Sequence, residues 1–406
     1  MFANQKRPPC GGRGRGVQAA GEDVGRIPAA VSIVYTIETT ALSKRMHPDY
    51  KYFIRKTSMS SRSCNLLIAS YLEPQYVERI RAVSPLLTVF YAPELLAPTR
   101  YPSDHIGGRF ERTPAQETRW RDLLAGAAVL FDFDYTNTQE LPDLAPHVRW
   151  IQASFAGIGQ FVRSMRYHER MPQTIFTTAS GMHARPLAEF CSMVMLMHTR
   201  GLLQLQRQQR ECRWERYAGT DLEGRTLGIV GVGKIGVEVA RQARALGLNV
   251  LGVKRSVAGV DPASLNLDEL YAPEGLREVL RRSEYLVLVT PHTGETERMI
   301  GAAELALLPR GAVLINIGRG ALIDEAALIA ALRSGHLGGA ALDVFDTEPL
   351  PAEHPFWEMP NVLVSPHSAS TSDRENSRLT DLFCENLRRY LDGRPLINQL
   401  DMTLLY

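Results

Sequence analysis

Cysteine is scarce and carries no pairing pattern: Cys10, Cys64, Cys191, Cys212 and Cys384 are odd in number and include no CxxC spacing. A disulfide scaffold and a metal-finger fold are excluded, and a reducing compartment, the cytoplasm, is expected. Long apolar runs are also lacking. The most apolar stretch, LAEFCSMVMLMHTRGLL from Leu187, contains Glu189, His198 and Arg200, so it reads as a buried helix and no membrane partner is expected. The basic start MFANQKRPPCGGRGRG runs into no apolar core of a secretory leader. Neither sign of charge is in excess, with 46 Lys and Arg against 44 Asp and Glu and a net charge of +2, so no nucleic-acid partner is expected. No cluster of His, Cys and carboxylates suggests a metal, and no internal repeat is evident.

The 406 residues are 45% hydrophobic and 22% charged, which is apolar material for more than one core. The charge is uneven. Residues 1–60 hold ten Lys and Arg and four Asp and Glu, so the remaining 346 hold 36 and 40. The Gly- and Pro-rich start and the lack of a periodic core mark residues 1–60 as a flexible extension without catalytic function.

From Asn65 the pattern becomes regular. LLIASYL reads as a strand, EPQYVERIRAV as a helix and LLTVFYA as a strand; a polar segment with a helix follows, then the strands AAVLFDF and RWIQAS and the loop FAGIGQF. A long helix near Pro186 leads into a second unit with strands in TLGIVGV, LNVLGV, YLVLVT, AVLINI, GAALDV and VLVSP. A last helix, from about Thr371 to Leu391, is expected to return to the first unit, which lacks a closing helix. This predicts an α/β protein of two doubly wound parallel-sheet domains, a Rossmann cofactor domain over 188–370 and a smaller discontinuous domain over 61–187 and 371–406. A cleft is expected between them.

Gly231, Gly233 and Gly236 form GxGxxG between the run LGIV and the helix EVARQARAL. That context fits a dinucleotide: the first glycine permits the tight turn, the second the approach of the pyrophosphate, the third close helix packing. The helix start adds free N–H groups for phosphate. About 20 residues on, where an acid would bind the ribose hydroxyls of NAD, the chain reads Gly252, Val253, Lys254, Arg255, Ser256. The two cations and the hydroxyl suit the additional phosphate of NADP. The alternative is two solvated cations and loose selectivity, so NADP(H) is the expected preference and NAD(H) stays open.

Three loop ends of the second unit carry the groups that hydride transfer to a 2-oxo acid needs. Arg319 follows AVLINI, Glu348 follows GAALDV and His367 follows VLVSP, all near strand carboxyl ends where a parallel sheet places its ligand crevice. His367 suits the proton donor to the carbonyl oxygen, and Glu348 would hold the imidazole protonated. Arg319 would polarise the carbonyl and hold the carboxylate.

With GVGKIG at 231–236, INIGRGALIDEAAL from Ile315, ALDVFDTEPL from Ala341 and HPFWEMPNVLVSPH from His354, the chain resembles the D-isomer-specific 2-hydroxyacid dehydrogenase family over about residues 65–400, with a glyoxylate/hydroxypyruvate reductase flavour. The resemblance implies catalytic roles for Arg319, Glu348 and His367, a small discontinuous flavodoxin-like substrate domain, and a homodimer through the cofactor domain. It places Lys234 and Ile235 of the glycine loop, Thr290, Pro291, Ile317 and Asp343 at the cofactor, Asp343 on the nicotinamide carboxamide. It also makes Ala156 and Gly157 backbone donors to the substrate carboxylate. In the crossover TTASGMHARPLAEF, Ser180 and Gly181 are expected near the nicotinamide, while His183 and Arg185 line the cleft or cap backbone; His292 is read as a loop or cofactor-edge residue and not as a second acid–base group. Two departures stand out: Gly159 where many members have Asp, and Lys254 where NAD users have an acid. Formate dehydrogenases resemble the family but carry glutamine at the position of Glu348. The resulting expectation is an NAD(P)-dependent reductase of a small 2-oxo acid, glyoxylate or hydroxypyruvate favoured, yielding the D-2-hydroxy acid. The alternative is a dinucleotide-sensing corepressor or scaffold with little turnover.

Overall fold

The computed structural model describes residues 63–403, and the extension read over 1–60 lies outside them. The first unit runs β1 (Cys64–Ile68), α1 (Pro74–Arg81), β2 (Leu87–Phe90), α2 (Pro114–Gly126), β3 (Val129–Phe131), α3 (Leu141–Leu144), β4 (Trp150–Gln152), α4 (Gly159–Ser164), α5 (Tyr167–Arg170) and β5 (Ile175–Thr177). These five strands form one sheet in the order β2-β1-β3-β4-β5, and every pairing is parallel. Its strands read as continuous apolar runs because both faces are covered. Leu66, Leu67, Ile68, Val129, Leu130 and Phe131 are buried in two clusters on opposite faces. Helix starts follow local chemistry: α2 opens on Pro114 behind a Thr113–Gln116 capping box.

Next come α6 (Ala184–Thr199) and α7 (Leu202–Arg210), then the second unit: β6 (Thr226–Val230), α8 (Lys234–Ala245), β7 (Asn249–Val253), β8 (Glu269–Tyr271), α9 (Leu276–Arg282), β9 (Tyr285–Leu288), α10 (Ala302–Leu305), β10 (Val313–Asn316), α11 (Glu325–Arg333), β11 (Gly339–Leu342) and β12 (Val362–Val364). Seven strands lie in the order β12-β11-β10-β9-β6-β7-β8, all parallel. The strand order reverses between β6 and β9, the switch point at which open α/β sheets bind ligands. Helix α6 packs into the core of this sheet through Leu187, Ala188, Cys191, Val194 and Met195. The closing helix α12 (Glu375–Leu391) returns to the first sheet. Phe383 meets Phe131 at 5.0 Å and Trp150 at 5.1 Å between ring centroids, and burying such a ring stabilises by about 1.5–3 kcal/mol. No helix among the described residues is long and apolar enough to cross a membrane.

Several expectations need correction. The strand read through Leu72 ends at Ile68, the last helix begins at Glu375 instead of near Thr371, and the FAGIGQF loop turns helical at Gly159. β5, β8 and α7 were not anticipated; three-residue strands are too short to show a two-residue period.

Candidate active site

The glycine turn joins β6 to α8. Gly231 has φ +109°, and a side chain there would lie 2.8 Å from the Thr290 amide nitrogen. At Gly236 it would lie 2.5 Å from the Gly231 carbonyl oxygen, so the helix sits directly against the turn. The space beside Gly233 is open to 4 Å. The first helical bond runs from Val237 N–H to Gly233 C=O at 3.0 Å, leaving the Lys234, Ile235 and Gly236 N–H groups as the donors a helix start presents. The turn therefore fits a phosphate-bearing dinucleotide. The Thr290 hydroxyl, buried with no hydrogen-bond partner, adds a polar atom awaiting one.

A cavity of about 720 Å³ opens beside this turn. Strand carboxyl ends of both sheets wall it: Ala156, Gly157 and Gly159 beyond β4, Thr178 and Ser180 beyond β5, Gly233 and Ile235, the run Val289–Gly294 beyond β9, and Ile317, Gly318 and Arg319 beyond β10. Gln160, Arg163 and the C-terminal residues Asn398, Gln399 and Leu400 complete it, and no lining residue is Asp or Glu. The Ala156 and Gly157 N–H groups donate to no described residue, so both are available to an anion.

Arg319 is held by its own turn. Asn316, 1% exposed, accepts from Gly318 N–H at 3.1 Å and donates to the Arg319 carbonyl at 2.9 Å, while Arg319 Nη1 donates to the Gly318 carbonyl at 2.6 Å. The guanidinium lies over Gly157, where a Cβ would stand 2.0 Å from Nη2. Only glycine lets Arg319 approach the Ala156–Gly157 amides. Burial pushes the guanidinium below its ordinary pKa, opposed by the charge of Glu348.

His367 and Glu348 form a pair, with Nδ1 2.8 Å from Oε2. Glu348 Oε1 accepts from Phe345 N–H at 3.0 Å, which fixes the carboxylate. The bond to Glu348 raises the imidazole pKa against the opposing effect of burial and of Arg319. Burial pushes Glu348 up, but the bonds from His367 and Phe345 outweigh it and hold the carboxyl below its usual range. The imidazole side chain is 48% exposed. His367 and Glu348 are not among the residues lining the cavity; charge couples them to Arg319.

Asp343, 2% exposed, spends Oδ1 on the loop that carries His367, accepting from Ser365 Oγ, Ser368 N–H at 2.8 Å and Ala369 N–H at 2.9 Å. Its visible task is to anchor this loop. Burial raises its pKa.

Other expected residues are placed differently. The Lys234 ammonium turns from the glycine turn to Asn398 Oδ1 at 2.6 Å and the Ser180 carbonyl, and its chain covers Gly181, so at the turn it offers its N–H and not its ammonium. Lys254 Nζ donates to the Val232 carbonyl at 2.9 Å, while Arg255 and Ser256 are exposed. His183 caps no backbone; it pairs with Glu375 at 3.2 Å in the interior. Arg185 is bound to Glu189 at 2.9 Å on the surface and does not line the cleft, because its helical position faces solvent. His292 does line it and meets Gln160 at 2.8 Å. Sequence reasoning missed Gln160, Arg163, Asn316 and Asn398. Asn316 lay within the quoted NIGRG motif and was the one with a readable signal, an amide at the end of a strand before a tight turn.

Residues 192–369 match the family model described as D-isomer specific 2-hydroxyacid dehydrogenase, NAD binding domain. A glyoxylate reductase of Korarchaeum cryptofilum is 35% identical over 235 residues, 55% of this chain and 69% of the relative. A D-isomer specific 2-hydroxyacid dehydrogenase family protein of Aeromonas salmonicida superposes with a TM-score of 0.70 at 28% identity, over 84% of this chain and 99% of that one. An NADPH-dependent glyoxylate/hydroxypyruvate reductase of Sinorhizobium meliloti, crystallised with NADP and sulfate, has a TM-score of 0.67 at 27% identity, over 84% and 100%. The chain belongs to the D-isomer specific 2-hydroxyacid dehydrogenase family. It is an oxidoreductase of the glyoxylate reductase-like kind, acting on a small 2-oxo acid with a nicotinamide dinucleotide.

Proposed function

We propose that the protein reduces glyoxylate to the achiral 2-hydroxy acid or hydroxypyruvate to the D-2-hydroxy acid, using NADP(H) in preference to NAD(H). The observation that carries this reading is the 2.8 Å His367–Glu348 pair, coupled by charge to Arg319 in a cleft wall without carboxylates. Gly231, Gly233, Ile235 and Gly236, the Lys234 N–H, Thr290, Pro291, Ile317 and Asp343 would hold the dinucleotide, which supplies the hydride when bound. The Ala156 and Gly157 N–H groups and Arg319 hold the substrate carboxylate, and Arg319 polarises the carbonyl. Because His367 Nδ1 is engaged by Glu348, Nε2 delivers the proton to the carbonyl oxygen as its carbon receives the hydride. In this account 61–187 with 371–406 act as the substrate domain and 188–370 as the cofactor domain, in the cytoplasm, where the free Cys64, Cys191, Cys212 and Cys384 stay reduced.

The pH dependence has a definite sign. Reduction needs His367 protonated, and Glu348 raises its pKa, so the reductive rate holds through the ordinary imidazole range and falls as pH rises through the raised value. Oxidation of the hydroxy acid has the opposite dependence. Glu348→Gln is expected to move the alkaline fall of reductive kcat/KM to lower pH; a fall that stays in place would show that Glu348 does not tune the imidazole.

For the cofactor, the absence of an acid after β7 and the trio Lys254, Arg255 and Ser256 support NADP(H). Lys254 would exchange the Val232 carbonyl for phosphate. The double variant Lys254→Ala/Arg255→Ala is expected to raise KM for NADPH by about tenfold or more, the scale of a lost charge-assisted bond, with a much smaller change for NADH. Equal changes for both dinucleotides would remove these residues from phosphate recognition.

Met193 and Leu196 on α6, Leu202, Leu203 and Leu205 on α7, and Trp214 at 96% exposure are large apolar side chains left exposed along one stretch of the chain. A second copy of the chain would cover them. Light scattering is expected to give about twice the 45.2 kDa chain mass, falling to the monomer in Leu203→Glu/Trp214→Ala; a monomeric parent protein would rule the dimer out.

A further inference from the structure

Helix α4 leads away from the loop that offers the Ala156 and Gly157 amides. Ile158 and Val162 are buried at 4% and 0% exposure, so helical periodicity turns Gly159, Gln160 and Arg163 to the cavity, and all three line it. Gln160 is tied to His292 at 2.8 Å. The Arg163 guanidinium makes no hydrogen bond or ion pair with any described residue. Its neighbours in sequence do: Arg166 binds Glu169, and Arg170 binds Asp143 at 2.6 Å. The cavity wall therefore carries two guanidinium groups, Arg319 and Arg163, and no carboxylate to neutralise either.

Arg319 and the loop amides account for the carboxylate beside the reacting carbonyl, and the glycine turn accounts for the dinucleotide. Arg163 is left over, several residues along α4 from the carboxylate loop, where only a substrate longer than glyoxylate would reach it. A cation unpaired by protein in a carboxylate-free wall is matched to an anion from outside. We propose that Arg163 is a distal anion subsite and that the enzyme prefers 2-oxo acids bearing a second negative group, carboxylate or phosphate, over monoanions of the same length. The inference rests on the reading of the site as a 2-oxo acid reductase.

The test uses the full chain with NADPH and paired substrates of equal carbon length: 2-oxobutyrate against oxaloacetate, and hydroxypyruvate against its 3-phosphate ester. The carboxylate and phosphate arms report which second group is preferred. The parent protein is expected to favour at least one member bearing the second anionic group by about tenfold or more in kcat/KM. Arg163→Gln should lower kcat/KM for that member by about ten- to a hundredfold, through KM, and shrink the preference within the pair. Arg163→Lys should restore part of it, and melting curves check that each variant is folded. Turnover of the monoanions with no preference for either member bearing a second anionic group overturns the subsite alone. So does an Arg163→Gln effect equal for both members of a pair, or one confined to the KM of NADPH, which would assign the cation to the cofactor. No turnover of any 2-oxo acid overturns the reductase reading and the subsite with it.

Discussion

His367→Ala is expected to lower kcat for 2-oxo acid reduction by about a hundred- to ten-thousandfold, the usual contribution of a positioned general acid. The imidazole touches Glu348 at 2.8 Å through Nδ1 and is not among the residues lining the cavity beside the glycine turn, so the variant should bind NADPH as the parent does. Fluorescence titration of the dinucleotide beside steady-state kinetics separates the two effects. Loss of binding together with turnover would mean that His367 supports the fold of its loop. That alternative has a structural basis, because His367 has φ +53° and its N–H bonds to the Ser365 carbonyl at 3.0 Å. A second substitution, His367→Asn, keeps a residue tolerant of the left-handed region and should be as inactive as alanine.

The second large effect belongs to Arg319. Arg319→Ala removes the cation that lies over Gly157 in the cavity wall, and kcat/KM should fall by about a hundred- to a thousandfold. Arg319→Lys should recover little of this, since an ammonium lacks the planar fork that grips a carboxylate in two bonds. The Asn316 bonds that hold the Arg319 turn come from the backbone side and persist in both variants, so the melting temperature should change little. A variant that keeps parental kcat/KM would remove Arg319 from the site.

The parts of this architecture legible in the sequence were those in which a local pattern has one physical meaning. Gly231, Gly233 and Gly236 were readable because a strand precedes them and a helix follows; the structure gives Gly231 and Gly236 the close contacts that such a turn requires and leaves the space beside Gly233 open. The apolar runs of β1, β6, β9 and β10 announced strands covered on both faces, hence parallel sheets. The return of α12 to the first sheet followed from a missing helix in that unit, and Phe383 against Phe131 and Trp150 is the contact that makes it.

What escaped depends on long-range placement. Asn398 meets Ser180 and Lys234 only because the C-terminal segment pairs beside β5, with Gln399 bridging Thr177; nothing local in the tail marks it as part of a cleft wall. Gln160 and His292 lie 132 residues apart in the chain, and their contact arises from the way the two sheets face each other. Asp343 was assigned to a ligand, whereas its Oδ1 is taken by Ser365, Ser368 and Ala369; a carboxylate's division between loop and ligand is a matter of geometry that spacing does not encode. Lys254 likewise read as a phosphate ligand and is found on the Val232 carbonyl.

We propose that this chain turns over a small 2-oxo acid with a nicotinamide dinucleotide through His367. The most direct test follows the absorbance of NADPH and NADH with glyoxylate and hydroxypyruvate, and determines the configuration of the product formed from hydroxypyruvate. The account predicts NADPH oxidation faster than NADH oxidation, formation of the D-hydroxy acid, and loss of both with His367→Ala. Folded protein that binds NADPH yet oxidises it with no 2-oxo acid would contradict the account and favour a dinucleotide sensor.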